Sequence, residues 1–132
     1  MDEQAMALKR HGGLQRLVRS FGHSYRGFRH ALLYESAIRQ ELVALMVLVP
    51  AAILLPVSRL EHLILVLSMM LVVLLELVNS ALEAAVDRIS TEVHPLAGRA
   101  KDLASAAVVV AVLMSGLCWV TIAGPVLIAW VR

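Results

Sequence analysis

Apolar residues recur at three- and four-residue intervals from Leu14 through Leu17, Val18, Phe21, Tyr25, Phe28 and Leu32. Arg16, Arg19, His23, Arg26, Arg29 and His30 fill positions between them. That period predicts an amphipathic helix over about residues 5–33, one face oily and the other basic. Gly22 and Gly27 are its weak points, each costing roughly 1 kcal/mol of helix stability. Beyond residue 41 the pattern becomes almost continuously apolar. Residues 42–57 are short for a span and contain Pro50 and Pro56, but a helix starting near Glu35 brings the segment to the roughly twenty residues a bilayer needs. Residues 63–82 form a run interrupted mainly by Ser68, Glu76, Asn79 and Ser80. A third run, 103–131, is longer than one crossing requires and contains Gly124-Pro125, where a helix is expected to kink or end. Pro95 suits the first turn of that helix, which then carries Arg99, Lys101 and Asp102 towards the membrane. The expectation is an all-α integral membrane protein: one membrane domain over 1–132, a surface helix, and transmembrane helices at about 35–57, 63–86 and 95–123.

Composition agrees with a bilayer protein. Of 132 residues 60% are apolar and 17% charged, and the mean hydropathy is +0.80, too oily for a water-soluble domain of this size. Three spans and short loops use nearly the whole chain, so any chemistry falls to the helices and their ends. Seven of the twelve basic residues (Lys9, Arg10, Arg16, Arg19, Arg26, Arg29 and Arg39) precede the apolar run of the first span, the mark of a membrane surface more than of a nucleic-acid site. The first loop has one (Arg59), the second three (Arg88, Arg99 and Lys101), and the end one (Arg132). The N-terminus and second loop are therefore expected on the cytoplasmic side. Cys118 is the single cysteine and lies in an apolar run, which excludes an intramolecular disulfide or a cysteine metal site. About forty mostly polar residues precede the first oily stretch, unlike a cleavable signal peptide, so the spans are expected to remain in the mature protein. No internal repeat of the transporter kind is present.

The informative residues are acids within apolar sequence. Glu76, Asn79, Glu83 and Asp87 fall at i, i+3, i+7 and i+11, on one face of the second span, with Ser80 beside them. Glu76 lies six residues inside the end of the apolar run, roughly 9 Å at 1.5 Å per residue. A charge near mid-membrane costs about 2.5–3.5 kcal/mol on insertion scales, so a use is expected for it. Glu35 and Glu41 of the first span and Lys101-Asp102 of the third bring further charge to the same cytoplasmic layer. Carboxylates with room for water and phosphate oxygens hold Mg²⁺, and a lysine offsets phosphate charge. The same residues also suit a polar zipper fixing helix register, or the proton relay of a small transporter. No Walker loop, glycine-rich kinase loop, H-E-x-x-H or G-x-S-x-G motif occurs.

The stretch Glu76-Leu-Val-Asn-Ser-Ala-Leu-Glu-Ala-Ala-Val-Asp87 resembles the signature of the prokaryotic diacylglycerol kinases, and His94-Pro-Leu-Ala-Gly-Arg-Ala-Lys-Asp102 resembles that family's second motif. Similarity extends through Tyr34-Glu-Ser-Ala-Ile-Arg-Gln-Glu41 and the three-span layout, from about Leu14 to Cys118. The resemblance implies a homotrimer of three-span subunits in the bacterial inner membrane, with sites shared between neighbouring subunits at the cytoplasmic boundary. It implies transfer of the γ-phosphate of MgATP to diacylglycerol. Glu76 then matches the general base, and Glu35 with Glu83 the pair holding the metal on ATP. Arg16, Glu92, His94, Lys101 and Asp102 match nucleotide contacts, with His23 where the family commonly has a tyrosine near the adenine. Asn79, Ser105 and Glu41 match the lipid side. The N-terminal tail is a little longer than usual.

The cousin undecaprenol kinase typically lacks Arg99 and has leucine in place of Arg88. Outside the family, a proton-coupled transporter is expected to show four or more spans or an inverted repeat, and a pore-forming or structural bundle has no need of Glu35 or Lys101-Asp102.

Overall fold

The computed structural model describes residues 13–89 and 94–132, and these form four helices: α1 Gly13–Tyr34, α2 Ser36–Leu54, α3 Arg59–Ile89 and α4 Pro95–Val131. Two compact units divide between Tyr34 and Glu35. Unit one contributes α1, which runs unbroken through Gly22 and Gly27. Along it Leu17, Val18, Phe21, Tyr25 and Phe28 are exposed and Ala31 is buried. Arg26 donates to His23 Nδ1 at 2.9 Å, and the rings of His30 and Tyr34 lie 4.6 Å apart, both pairings the i, i+3 or i, i+4 contacts of a helix surface. The expected part of this helix before Gly13 lies outside the described residues. The break falls at Glu35, whose backbone is extended (φ −99°, ψ 113°) and ends one helix as it caps the next.

The second unit holds α2, α3 and α4, each long and apolar enough to cross a membrane. α2 passes through Pro50 and stops at Leu54, short of the expected 57, because Leu55 precedes Pro56 and is driven to extended backbone (φ −67°, ψ 137°). α3 starts at Arg59, earlier than the apolar pattern suggests. A reciprocal capping box makes that start: Ser58 N–H donates to Glu61 Oε2 at 2.7 Å and Glu61 N–H to Ser58 Oγ at 3.3 Å. His62 Nε2 closes the corner on the Leu55 carbonyl at 3.0 Å.

α4 does not end at Gly124-Pro125 but continues to Val131. A proline removes one helix hydrogen bond. In a bilayer, leaving the helix would free several more backbone groups with no water to pair them, so continuing is the lesser cost. One turn earlier Thr121 Oγ1 donates to the Leu117 carbonyl at 2.7 Å.

The spans are joined at the end remote from the acids by Ala52, Leu55, Leu65 and Ala123, with Trp119 and Ile122 packed on them. Midway, Ser68 and Ser115 hydroxyls meet at 3.2 Å, a polar tie between α3 and α4. Large apolar side chains point outward instead: Leu54 is 79% and Val120 71% exposed. Water would penalise such a surface, whereas hydrocarbon accepts it. At about 1.5 Å per residue α3 is about 46 Å long against a hydrocarbon core of roughly 30 Å, so its last turns stand clear of the apolar layer.

Candidate active site

The second half of α3, from within the apolar layer to those last turns, carries the acidic face. Because the helix is continuous to Ile89, Glu76, Asn79, Glu83 and Asp87 stand one above another. Asn79 Nδ2 donates to Glu83 Oε1 at 3.1 Å, which orients that carboxylate and leaves its second oxygen available. Asn79 Oδ1 is buried and unpaired among the described residues. Such an atom in a folded protein asks for a partner from elsewhere.

Glu35 reaches the same layer from the start of α2. Its carbonyl accepts from Arg39 N–H, but its side chain makes no capping hydrogen bond, so the carboxylate is free for other work. The charges of Glu83 and Glu35 both act on Glu76, and that of Glu76 acts on Glu41 one and a half turns into α2. Four acids from two helices thus share one electrostatic neighbourhood. Glu41 Oε2 is buried with no partner among the described residues.

From α4 comes the cation. Lys101 Nζ pairs with Asp87 Oδ1, and both side chains remain partly open to solvent, 36% and 66% exposed. α3 and α4 run antiparallel from a short link, which brings residues fourteen apart in sequence into contact. The pairing was not readable from either motif alone, although both residues were. Asp102 and Ser105 follow on α4, both exposed.

His94, expected at the nucleotide, serves as the N-cap of α4: its Nδ1 accepts from Leu96 N–H at 3.2 Å, ahead of Pro95 in the first turn. Arg16 and His23 belong to the other unit, where both are exposed. Glu92 lies outside the described residues.

Among the described residues, no three His, Cys, Asp or Glu side chains are grouped to hold a metal ion by themselves. A cage built wholly of protein is not what Mg²⁺ requires. It binds through one or two carboxylates and completes its octahedron with water and phosphate oxygens. Glu35 and Glu83, each of which acts electrostatically on Glu76, are the two carboxylates that would hold such an ion.

Comparison with known proteins bears on what such a layer does. Residues 22–123 match the family model of prokaryotic diacylglycerol kinase. The diacylglycerol kinase of Escherichia coli K12 is 44% identical over 107 residues, covering 81% of this chain and 88% of the relative. That of Pseudomonas aeruginosa is 44% identical over 110 residues, 83% of this chain and 89% of the relative. Another, from Helicobacter pylori strain 26695, is 39% identical over 107 residues, 81% and 84% of the two chains. Since the match runs from α1 through all three spans and includes every acid of the layer, the chain belongs to the prokaryotic diacylglycerol kinase family.

Proposed function

We propose that this chain is a lipid kinase that moves the γ-phosphate of MgATP onto diacylglycerol, giving phosphatidic acid. The observation that carries the reading is the shared neighbourhood of Glu35, Glu76 and Glu83 at one end of membrane-spanning helices. It lies where a lipid hydroxyl, held by its tails in hydrocarbon, meets a nucleotide arriving from water. Family membership favours phosphoryl transfer over the proton relay that the same acids would also suit.

Glu76 is the general base. It takes the proton of the glycerol hydroxyl as that oxygen bonds to the γ-phosphorus and the bridging bond to the β-phosphate breaks, with ADP leaving. Glu35 and Glu83 hold the Mg²⁺ of the nucleotide, which when bound neutralises phosphate charge. Lys101, released from Asp87, meets the phosphates as a point charge, with Asp102, Arg16, Glu92 and His94 as further nucleotide contacts and His23 towards the adenine. Asn79, with an unpaired Oδ1, faces the lipid headgroup together with Glu41 and Ser105.

The exposed apolar positions of α1, spaced as a helix face and interleaved with arginines, suit a helix lying on an anionic membrane surface. The distribution of basic residues supports a cytoplasmic N-terminus and, in a bacterium, the inner membrane. The active unit is a homotrimer in which neighbouring subunits complete each site.

The test is purified protein in mixed micelles with Mg²⁺ and radiolabelled ATP, offered diacylglycerol and undecaprenol side by side. Label in phosphatidic acid is expected. Label only in undecaprenyl phosphate, or in neither lipid, overturns the substrate assignment.

A further inference from the structure

Deeper than the acids, α2, α3 and α4 enclose an apolar groove of about 410 Å³. Glu41 stands at one end; Leu48, Val72 and Val112 are among its walls, and Trp119 closes the other end. Trp119 in turn rests on the tight cluster of Ala52, Leu55, Leu65 and Ala123, so the floor is backed by the best-packed part of the unit. Seven residues separate Glu41 from Leu48 and seven separate Val112 from Trp119. The groove therefore runs for about 10 Å along the helix axes.

Its two ends differ in chemistry. The mouth has the buried, unpaired Glu41 Oε2, on a carboxylate whose charge neighbour is Glu76. From there inward the lining is almost wholly apolar; its polar atoms are the Ser115 hydroxyl, already paired with Ser68, and the buried Trp119 Nε1, which has no partner among the described residues. A molecule with a hydroxyl-bearing head and an alkyl tail matches the polar mouth and the apolar walls.

Gly116 is the telling residue. It lines the groove within α4, where glycine costs about 1 kcal/mol relative to alanine. The usual reasons for such a glycine do not apply. Its φ is not positive, and no heavy atom of the chain lies within 4 Å of where its Cβ would stand, so no close helix approach within the chain requires it. What a side chain there would occupy is the groove.

We propose that this groove receives one acyl chain of the lipid acceptor, and that Gly116, with Trp119 as the floor, sets the length of chain that fits. The proposal rests on the lipid-kinase reading. It adds a specificity determinant on α4, remote from the phosphate.

The experiment compares the parent protein with Gly116→Leu, Gly116→Ala, Trp119→Ala, Trp119→Phe and, as a control on the outward face of α4, Leu113→Phe. Each is assayed on diacylglycerols of defined chain length from dioctanoyl to dioleoyl, and its oligomeric size is measured in the same micelles. Gly116→Leu should lower kcat/KM for dioleoylglycerol about tenfold relative to dioctanoylglycerol, with KM for ATP unchanged, as expected when a few carbons of a tail are refused. Gly116→Ala should act in the same direction more weakly. Trp119→Ala should shift the profile towards longer chains, while Trp119→Phe, which keeps a ring at the floor, should leave it as in the parent. Equal loss at every chain length, an unaltered profile, or a change of oligomeric size with Gly116→Leu overturns the proposal. The last result would assign the groove to a neighbouring subunit. A parent that labels no diacylglycerol removes the kinase reading itself and this proposal with it, whereas an active parent with an unaltered Gly116→Leu profile removes only the groove.

Discussion

Replacing Glu76 with glutamine separates catalysis from architecture, because the two roles call for opposite responses. The substitution keeps the side chain's shape and length but abolishes its capacity to accept a proton. Loss of a general base is worth roughly 10²–10⁴-fold in turnover, about 3–5 kcal/mol of barrier, with little change in KM for ATP. On stability the surroundings give the sign. No hydrogen bond holds the Glu76 carboxylate among the described residues, and Glu35, Glu83 and Glu41 surround it with like charge. Glutamine removes that repulsion and part of an insertion penalty of about 2.5–3.5 kcal/mol, so the variant should resist heat and detergent at least as well as the parent. Thermal unfolding in detergent and turnover should be measured on one preparation. A polar zipper predicts the reverse, since weakening a contact that holds helices in register loosens the assembly. A destabilised Glu76→Gln with near-normal turnover per folded molecule would refute the catalytic assignment.

Glu83→Gln should raise the Mg²⁺ requirement and KM for ATP strongly while leaving the protein folded, and an unchanged metal titration would remove Glu83 from the metal. Arg16→Ala should impair nucleotide use beyond the effect of Arg19→Ala, whose loss costs only about 1 kcal/mol of surface attraction; equal kinetic defects would dissolve the distinction. Asp87→Asn should change KM for ATP by less than about fivefold, since an ion pair this open to solvent contributes at most about 1 kcal/mol. Lys101→Met should raise KM far more, and a comparable effect from Asp87→Asn would indicate that Asp87 meets the nucleotide directly.

The elements are written plainly in the amino-acid order because each obeys a local rule. Hydrophobic run length marks spans irrespective of neighbours, and the 3, 4, 4 spacing of Glu76, Asn79, Glu83 and Asp87 places them on one face of any helix that contains them. Element ends were legible only in part. His94-Pro95 reads as a helix start, and so does Ser58-Arg-Leu-Glu61 once the reciprocal cap is considered. Pro125 misleads because the penalty that ends helices in water is smaller than the penalty for unpaired backbone in hydrocarbon.

Sequence by itself determined that the chain is helical, that three segments suit a bilayer, and which acids stand within them, since run length and helical period are properties of one segment at a time. Tertiary structure decided what depends on two segments meeting. Lys101 finds Asp87, Ser68 finds Ser115, and Glu35 comes within electrostatic reach of Glu76 through the antiparallel packing of neighbouring helices, whose relative rotation no single helix encodes. The groove beside Gly116 is of the same kind: a glycine in an apolar run reads as a weak point of a helix, and only the neighbouring helices reveal that the missing side chain leaves space between them.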